Sequence, residues 1–279
     1  MRRLLITLWV LTSFLNISAQ DLKILPSFHI GDSACYKVEK MLSIPYNTDQ
    51  LDTIIQTKSF HIKVKAKNAK GYILKICVDT FKVEAIDSTR DWSFNTYNDI
   101  PRRLQLNTVN LLQVSRNGTL IGITNFKQLN RHYTKVINEI ADTMAMKGKS
   151  TQEVEEFKKQ YFERFTEQNI IDEMYSYFRA NYFYGRNIQL YKQEEVERKD
   201  YEESYKVQAK FIYKMPPTPK EGAIINMIAD NDEKELHEIY EYRFHKNGWL
   251  KSMLSNRSQT YPYFSETKSE ITCTFKNWK

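Results

Sequence analysis

Alternating polar and apolar residues dominate the first third and the last third of the chain. In SFHIKVKAK, residues 59–67, an apolar side chain at every second position alternates with His61 and three lysines. Because successive side chains of a β-strand point to opposite sides, this pattern predicts a strand with one apolar and one polar face. The same alternation returns in ESYKVQAKFIYKM, residues 203–215. Long antiparallel strands are therefore expected on both sides of the middle of the chain.

Two Asn-Gly pairs, Asn117-Gly118 and Asn247-Gly248, each separate two predicted strands. Asn-Gly favours the positive φ angles of a type I′ turn, so each pair predicts a tight β-hairpin. The repeat indicates either a duplicated unit or two independent hairpins, since independent hairpins would share the same turn residues.

The hydrophobic period changes after residue 124. Apolar residues then recur at three- and four-residue intervals over 126–144, which predicts an amphipathic helix with Asn125 as its N-cap. Ser150 and Glu153 have the spacing of a capping box and predict the start of a second helix. A third helical stretch is expected over about residues 167–182.

The order of strands, then helices, then strands predicts an α+β fold. We expect a curved, half-barrel-like antiparallel β-sheet packed on a layer of about three helices inserted mid-chain. The expected boundaries are strands over 28–123, helices over 125–183 and strands over 204–276, all within a single domain of residues 21–279. With 41% hydrophobic residues, 18 Tyr and 15 Phe, the chain can bury a large core.

Residues 1–20, MRRLLITLWVLTSFLNISAQ, have the layout of a secretory signal peptide. Arg2 and Arg3 precede an apolar run that is short for a membrane span, and small residues follow it. Cleavage is expected after Ala19 or Gln20, and an uncleaved anchor is the alternative. We therefore expect an exported protein, in the periplasm or at the cell surface and beyond, with no stable membrane span after cleavage.

Charge and motifs narrow the function classes. The net charge is +7 and the acidic and basic residues are interspersed, so nucleic acid is not an expected partner. The sequence contains no G-x-S-x-G, P-loop, G-x-G-x-x-G, H-E-x-x-H or C-x-x-C motif, and its five histidines lack metal-binding spacing. The expectation is a protein that is not an enzyme, with no catalytic residues, no cofactor and no metal.

The strand faces on which the three cysteines are predicted to lie favour one pair for a disulfide. Cys35 and Cys77 lie on the polar faces of their predicted strands, whereas Cys273 lies with Ile271 and Phe275 on an apolar face. A disulfide joins side chains that point the same way, so the candidate pair is Cys35 with Cys77. Three free thiols are the alternative.

Aromatic residues crowd the end of the predicted helical region, in MYSYFRANYFYGRNIQLY, residues 174–191. Tyrosine combines an apolar body with a polar tip, so such a segment is suited to line an apolar ligand cavity. Alternatively, these rings pack the helices against the sheet. The candidate ligand-binding residues are Tyr175, Tyr177, Phe178, Tyr182, Phe183 and Tyr184.

The leader ending in SAQ, the Lys- and Tyr-rich strands and the hairpin entering a helix, NGTLIGITNFKQL (117–129), resemble uncharacterised exported proteins of Bacteroidota. In layer order the chain is similar to half-barrel lipoprotein-carrier and lipid-binding periplasmic proteins. The resemblance transfers no activity, but long strands with one aromatic face, three helices and an aromatic-rich junction together favour a non-catalytic binding protein for a lipid or another apolar or amphiphilic ligand. The alternative is a structural or interaction module of the cell envelope. It would recognise a protein or glycan through the lysines of the polar sheet face, namely Lys63, Lys65, Lys67, Lys206 and Lys210.

Overall fold

A computed structural model describes residues 21–45, 51–86, 99–171, 183–200, 203–215, 222–260 and 264–278. The leader pattern of residues 1–20 lies outside these ranges. So does most of the third predicted helix, of which residues 167–171 are described and are helical.

The fold is α+β and is dominated by one large, curved antiparallel sheet of eleven strands. Its strand order is β6-β5-β4-β3-β2-β13-β12-β11-β10-β9-β8, and a separate pair is formed by β1 and β7. The strands are β1 Asp21–Leu22, β2 Ser33–Pro45, β3 Leu51–Asn68, β4 Gly71–Ile86, β5 Val109–Val114, β6 Leu120–Ile123, β7 Ile188–Gln189, β8 Gln193–Asp200, β9 Glu203–Lys214, β10 Ile224–Asn231, β11 Leu236–Phe244, β12 Leu250–Gln259 and β13 Ser265–Asn277.

Helices lie between β4 and β7 along the chain: α1 Asp99–Gln105, α2 Phe126–Met146 and α3 Thr151–Arg164, followed by the helical residues 167–171. The predicted capping box of α3 is confirmed, since Ser150 and Glu153 satisfy each other's backbone N–H groups. The predicted side-chain cap of α2 is wrong. Asn125 instead accepts a hydrogen bond from the Leu111 N–H (2.9 Å) and donates to the Val109 carbonyl (2.8 Å), which ties the helix start to β5.

The sheet contains two meanders with the same strand order. β6-β5-β4-β3-β2 matches β12-β11-β10-β9-β8, and β13 lies between the two sets. In both meanders the last two strands along the chain are joined by one of the Asn-Gly turns. A register shift also falls at matching places, between Gln113 and Val114 in β5 and between Arg243 and Phe244 in β11. These correspondences favour a duplicated unit.

The two Asn-Gly turns have the same hydrogen bonds, but they are not type I′ turns. In residues 115–119 and 245–249 the first N–H donates to the fifth carbonyl, at 2.7 and 2.8 Å, and the Gly N–H donates to the first carbonyl, at 3.0 and 2.9 Å. Only the glycine of each pair has positive φ, +88° at Gly118 and +80° at Gly248. This is the three-residue hairpin loop, a type I turn followed by a left-handed glycine.

Both turns pack against the same short segment ahead of β2. A Cβ added at Gly118 would lie 2.5 Å from Pro26 Cγ, and one at Gly248 would lie 2.4 Å from the Leu25 carbonyl oxygen. The Ser27 N–H donates to the Asn247 carbonyl at 2.7 Å, and Trp249 Nε1 donates to the Ser27 carbonyl at 3.3 Å. Residues 25–27 therefore hold the two meanders together at their turn ends.

Some sequence expectations differ from the structure. The helix α1, Asp99–Gln105, lies within residues 28–123, where strands are predicted. The strand β8, Gln193–Asp200, precedes the second predicted set of strands, residues 204–276. Phe275 was expected to face inward but is 57% exposed, because the register of β13 shifts between Cys273 and Phe275. Among the helices of the described ranges, none has the length and apolar character that crossing a membrane requires.

Candidate functional site

The inner face of the sheet, which the helices and residues 183–190 cover, is apolar near the turns and polar farther from them. Near the turns, Tyr36, Phe60 and Trp249 are fully or almost fully buried. Farther along, four polar residues lie side by side on neighbouring central strands and are only half-buried. We call this row the polar strip: Gln56, Lys40, Ser269 and Ser255, on β3, β2, β13 and β12.

Strand parity places the polar strip on the inner face. Each member lies two residues along its strand from a buried apolar residue of the core, and side chains two apart share a face. These buried neighbours are Ile54, Val38, Ile271 and Met253. Ser255 and Ser269 are directly opposite each other, and their side chains are much shorter than that of the buried Tyr240, which lies opposite Ser255 on β11.

A buried ion pair borders the polar strip. The Arg257 guanidinium lies 3.5 Å from the carboxylate of Glu238, whose side chain is only 3% exposed. Arg257 also donates to the Tyr205 hydroxyl at 3.0 Å and to Gln259 at 2.9 Å. These contacts fix the guanidinium of Arg257, which lies two residues along β12 from Ser255.

Apolar side chains adjoin the strip on the side of the first meander. Leu42, two residues beyond Lys40, and Val83, opposite Gln56, are half-buried on the same face. Between these positions and the turns, Lys58 is buried, with its ammonium 3.2 Å from Gln105 Oε1 and 4.4 Å from the Phe81 ring centre. The inner face thus presents cationic, hydroxyl and apolar groups close together.

Of the predicted aromatic ligand site, Tyr175, Tyr177, Phe178 and Tyr182 lie outside the described residues. Phe183 and Tyr184 are fully buried, and the ring of Phe183 packs edge-on at 4.6 Å from that of Tyr242. Burial raises the pKa of the Tyr184 hydroxyl, which donates to the Gly248 carbonyl at 2.9 Å. These two side chains are part of the core.

The structure contradicts the predicted Cys35–Cys77 disulfide, since all three cysteines are free. Cys35 and Cys77 do share the outer face, but both face His61, one from each neighbouring strand. They are therefore two strand spacings apart, roughly 9.5 Å, whereas a disulfide needs Cα atoms within about 7 Å. The alternation of residues in the sequence predicted correctly that both cysteines lie on the same face of the sheet, but it could not predict that β3 lies between their strands.

The lysines of the outer face differ between the two meanders. Lys206 is paired with Glu195 at 2.7 Å. By contrast, Lys63 lies directly opposite Lys75, and the described residues offer neither of them an acidic partner. Lys65, the extra residue of β3 at the register shift between Val64 and Ala66, lies beside them and is exposed. Among the described residues, Lys63, Lys65 and Lys75 thus form a group of neighbouring lysines on β3 and β4.

Three metal-ligating side chains meet on the outer face, although their spacing in the sequence gave no such signal. Ligand atoms of His61, Cys77 and Asp79 all lie within 4.8 Å of one another, and His61 Nδ1 is 2.7 Å from Asp79 Oδ1. Spacing rules search along one element, whereas these ligands come from two paired strands. Only the β3–β4 register brings them together.

No protein-family model and no curated protein matches the chain. Among solved structures, it is similar to one entitled "Lipid-protein interactions in lipovitellin", with a TM-score of 0.49 and 9% identity over 90% of this chain. The chain spans 26% of that chain's length. It is also similar to DynF from the dynemicin biosynthesis pathway of Micromonospora chersina, with a TM-score of 0.19 and 6% identity, over 92% of this chain and 86% of DynF.

Proposed function

We propose that the chain is an exported, non-catalytic binding protein that holds an amphiphilic ligand with an anionic head against the inner face of its sheet. The polar strip carries this proposal. It is a half-buried row of small and polar residues on the inner face, next to the buried core residues Ile54, Val38, Ile271 and Met253 of the same strands. A packed core would not need a serine pair at its centre, whereas a ligand would occupy the recess that the serines leave.

The chemistry around the strip suits such a ligand. Lys40 supplies positive charge, and Ser255, Ser269 and Thr267 supply hydroxyl groups for a polar head. Leu42 and Val83 supply apolar contact for a tail. Ligand sites are typically mostly apolar with a few well-placed polar groups. The leader pattern of residues 1–20 supports export. Glu238, the acidic residue next to the strip, is paired with Arg257, which supports a structural role for Glu238 rather than a catalytic one.

Native mass spectrometry of the chain from Asp21 onward, purified without detergent, tests this proposal first. Organic extraction then identifies any released molecule, and the stripped protein is incubated with a fatty acid and with a neutral alcohol of equal chain length. We expect one bound amphiphile per chain and tighter binding of the fatty acid. A clean mass with no uptake of either probe would contradict the proposal.

Two serines of β12 provide a matched pair of variants. Ser255→Phe fills the recess of the strip, whereas Ser252→Phe, three residues earlier, places the same ring on the outer face opposite Thr272. We expect Ser255→Phe to reduce fatty-acid affinity at least tenfold and Ser252→Phe to leave it unchanged. Equal effects of both variants would argue against an inner-face site.

A second candidate function is recognition of an anionic protein or glycan of the cell envelope through the outer face of β3 and β4. The observation that favours it is the direct apposition of Lys63 and Lys75, since like charges opposite each other destabilise a sheet. An anionic partner would remove this repulsion. Binding of a polyanion such as heparin should then weaken steeply with salt and be lost in Lys63→Gln/Lys75→Gln, but not in Lys206→Gln.

A further inference from the structure

A β-bulge shapes the outer face where β3 and β4 meet. Ser59 pairs with Thr80 and Phe60 pairs with Val78, so Asp79 is an extra residue on β4 with no partner residue on β3. Such bulges turn an additional side chain toward one face of a sheet. Here the extra carboxylate lies beside His61, whose cross-strand partner is Cys77.

The three side chains offer the donor set of a zinc site. Zinc is bound by thiolate, imidazole and carboxylate with bonds of about 2.0–2.3 Å, which puts ligand atoms of a tetrahedron roughly 3.3–3.8 Å apart. The ligand atoms of His61, Cys77 and Asp79 are within 4.8 Å of one another, so small side-chain rotations bring them to that separation. Two of the three are already in contact at 2.7 Å.

Exposure allows a cation to reach this cluster from solvent. The side chains of His61 and Asp79 are 30% and 42% exposed, whereas Cys77 is buried beneath them. A cation would therefore rest on the thiol and be held laterally by the imidazole and the carboxylate. Three protein ligands leave a fourth position open, as at zinc sites that accept a further molecule.

Neighbouring residues limit the ligand set to these three. Cys35 faces His61 from the other side, but two strand spacings separate it from Cys77, so both thiols cannot bind one tetrahedral ion. Lys63 and Lys75 lie two residues beyond His61 and Cys77. Their charge opposes a cation, and burial raises the pKa of the Cys77 thiol.

We propose that His61, Cys77 and Asp79 form a binding site for a borderline-soft divalent cation such as Zn²⁺, with one position open to a further ligand. The site lies on the face opposite the polar strip, so it stands whether or not an amphiphile binds there.

Cobalt titration tests the site directly. Bound metal is removed from the untagged chain from Asp21 onward with a chelator, and Co²⁺ is then added in a reducing buffer that contains no other transition metal. We expect a thiolate-to-cobalt charge-transfer band in the near ultraviolet that saturates at one Co²⁺ per chain and disappears when Zn²⁺ is added. Absence of this band, together with no uptake of Zn²⁺, would overturn the proposal.

Five variants assign the ligands. Cys77→Ser should abolish the charge-transfer band, and His61→Gln and Asp79→Asn should each weaken Zn²⁺ binding at least tenfold. Cys35→Ser and Cys273→Ser, which remove the other two thiols, should leave the band unchanged. Far-UV circular dichroism without metal checks that each variant is folded. A band that survives Cys77→Ser, or that is lost in Cys35→Ser, would show that these three residues are not the site.

Discussion

The hydroxyl of Tyr184 donates a hydrogen bond to the backbone carbonyl of Gly248, at 2.9 Å, inside the core. This contact joins residues 183–185, which follow the helical region, to the Asn-Gly turn of the second meander. The Thr119 hydroxyl donates to the Tyr184 carbonyl at 3.3 Å, so the same residue also contacts the turn of the first meander. Tyr184 is thus a structural link between the two repeated units.

Replacing Tyr184 tests this link. Tyr184→Phe removes the donor to a buried carbonyl, which we expect to lower the free energy of unfolding by about 1–3 kcal/mol. Tyr191→Phe is the control, because its hydroxyl also donates to a carbonyl, that of Tyr213, but is exposed to solvent. That variant should change stability by less than about 0.5 kcal/mol in urea unfolding. Equal losses of stability in the two variants would show that the buried Tyr184–Gly248 hydrogen bond contributes no more than the exposed one of Tyr191.

The close packing of the second turn on Leu25 predicts a large effect at Gly248. Gly248→Ala would place a Cβ 2.4 Å from a backbone oxygen, in addition to the strain of a φ of +80°. Gly148 has nearly the same φ, +81°, but no atom near its Cβ position. Gly148→Ala should therefore cost only the strain, about 1–2 kcal/mol. Gly248→Ala should cost about 4 kcal/mol or more.

Thermal and urea unfolding of these two alanine variants separate packing from backbone strain. If both variants lose the same stability, the contact between the turn and residues 25–27 contributes nothing measurable.

The capping box of α3 predicts an acid-sensitive helix start. Hydrogen bonds from the Lys149 side chain and from Ser150 lower the pKa of Glu153 from 4.5 to about 2. Because the pKa of Glu153 is lower in the folded chain than in the unfolded chain, the ionised carboxylate stabilises the fold. This stabilisation is complete above pH 4.5 and is lost as the pH falls toward 2. Carboxyl-carbon NMR should give a midpoint near 2 for Glu153, and Lys149→Met should raise it. A midpoint unaffected by Lys149→Met would contradict this origin.

His245 predicts a second pH dependence, with a different window. Burial, and then the charges of Lys276 and Lys251, lower its pKa from 6.5 to about 4. In the unfolded chain this histidine takes up a proton near pH 6.5, so stability should fall as the pH drops from 6.5 to 4 and then level off. Urea midpoints of the wild type and His245→Gln, compared across this range, should show a smaller pH slope for the variant. Identical slopes would rule out His245 as the cause.

Local patterns were sufficient for much of the architecture. Alternation identified β3 and β9, the three- and four-residue period identified α2, and the Ser150 box identified the start of α3. These features depend on neighbours within a few residues. What failed depends on pairing between distant segments: the side chain of Asn125 was used by β5, and a register shift in β13 turned Phe275 outward.

The candidate sites were less predictable than the fold, for the same reason. The polar strip is assembled from four strands, and no member stands out in its own segment because single serines and lysines are common on strands. The His61–Cys77–Asp79 cluster needs both the β3–β4 register and a bulge. Aromatic density pointed to Phe183 and Tyr184, but density alone does not distinguish a cavity lining from a core.

The meeting of β2 and β13 in the middle of the sheet has a consequence for the kinetics of folding. Ser33 lies opposite Asn277, so this junction closes only after nearly all the described chain is available. Contacts between segments this remote in sequence slow folding. Until they form, β2 and β12 would each present an open edge, and open edges favour aggregation. The pairing of β13 with both β2 and β12 therefore covers two open edges and joins the two meanders into one sheet.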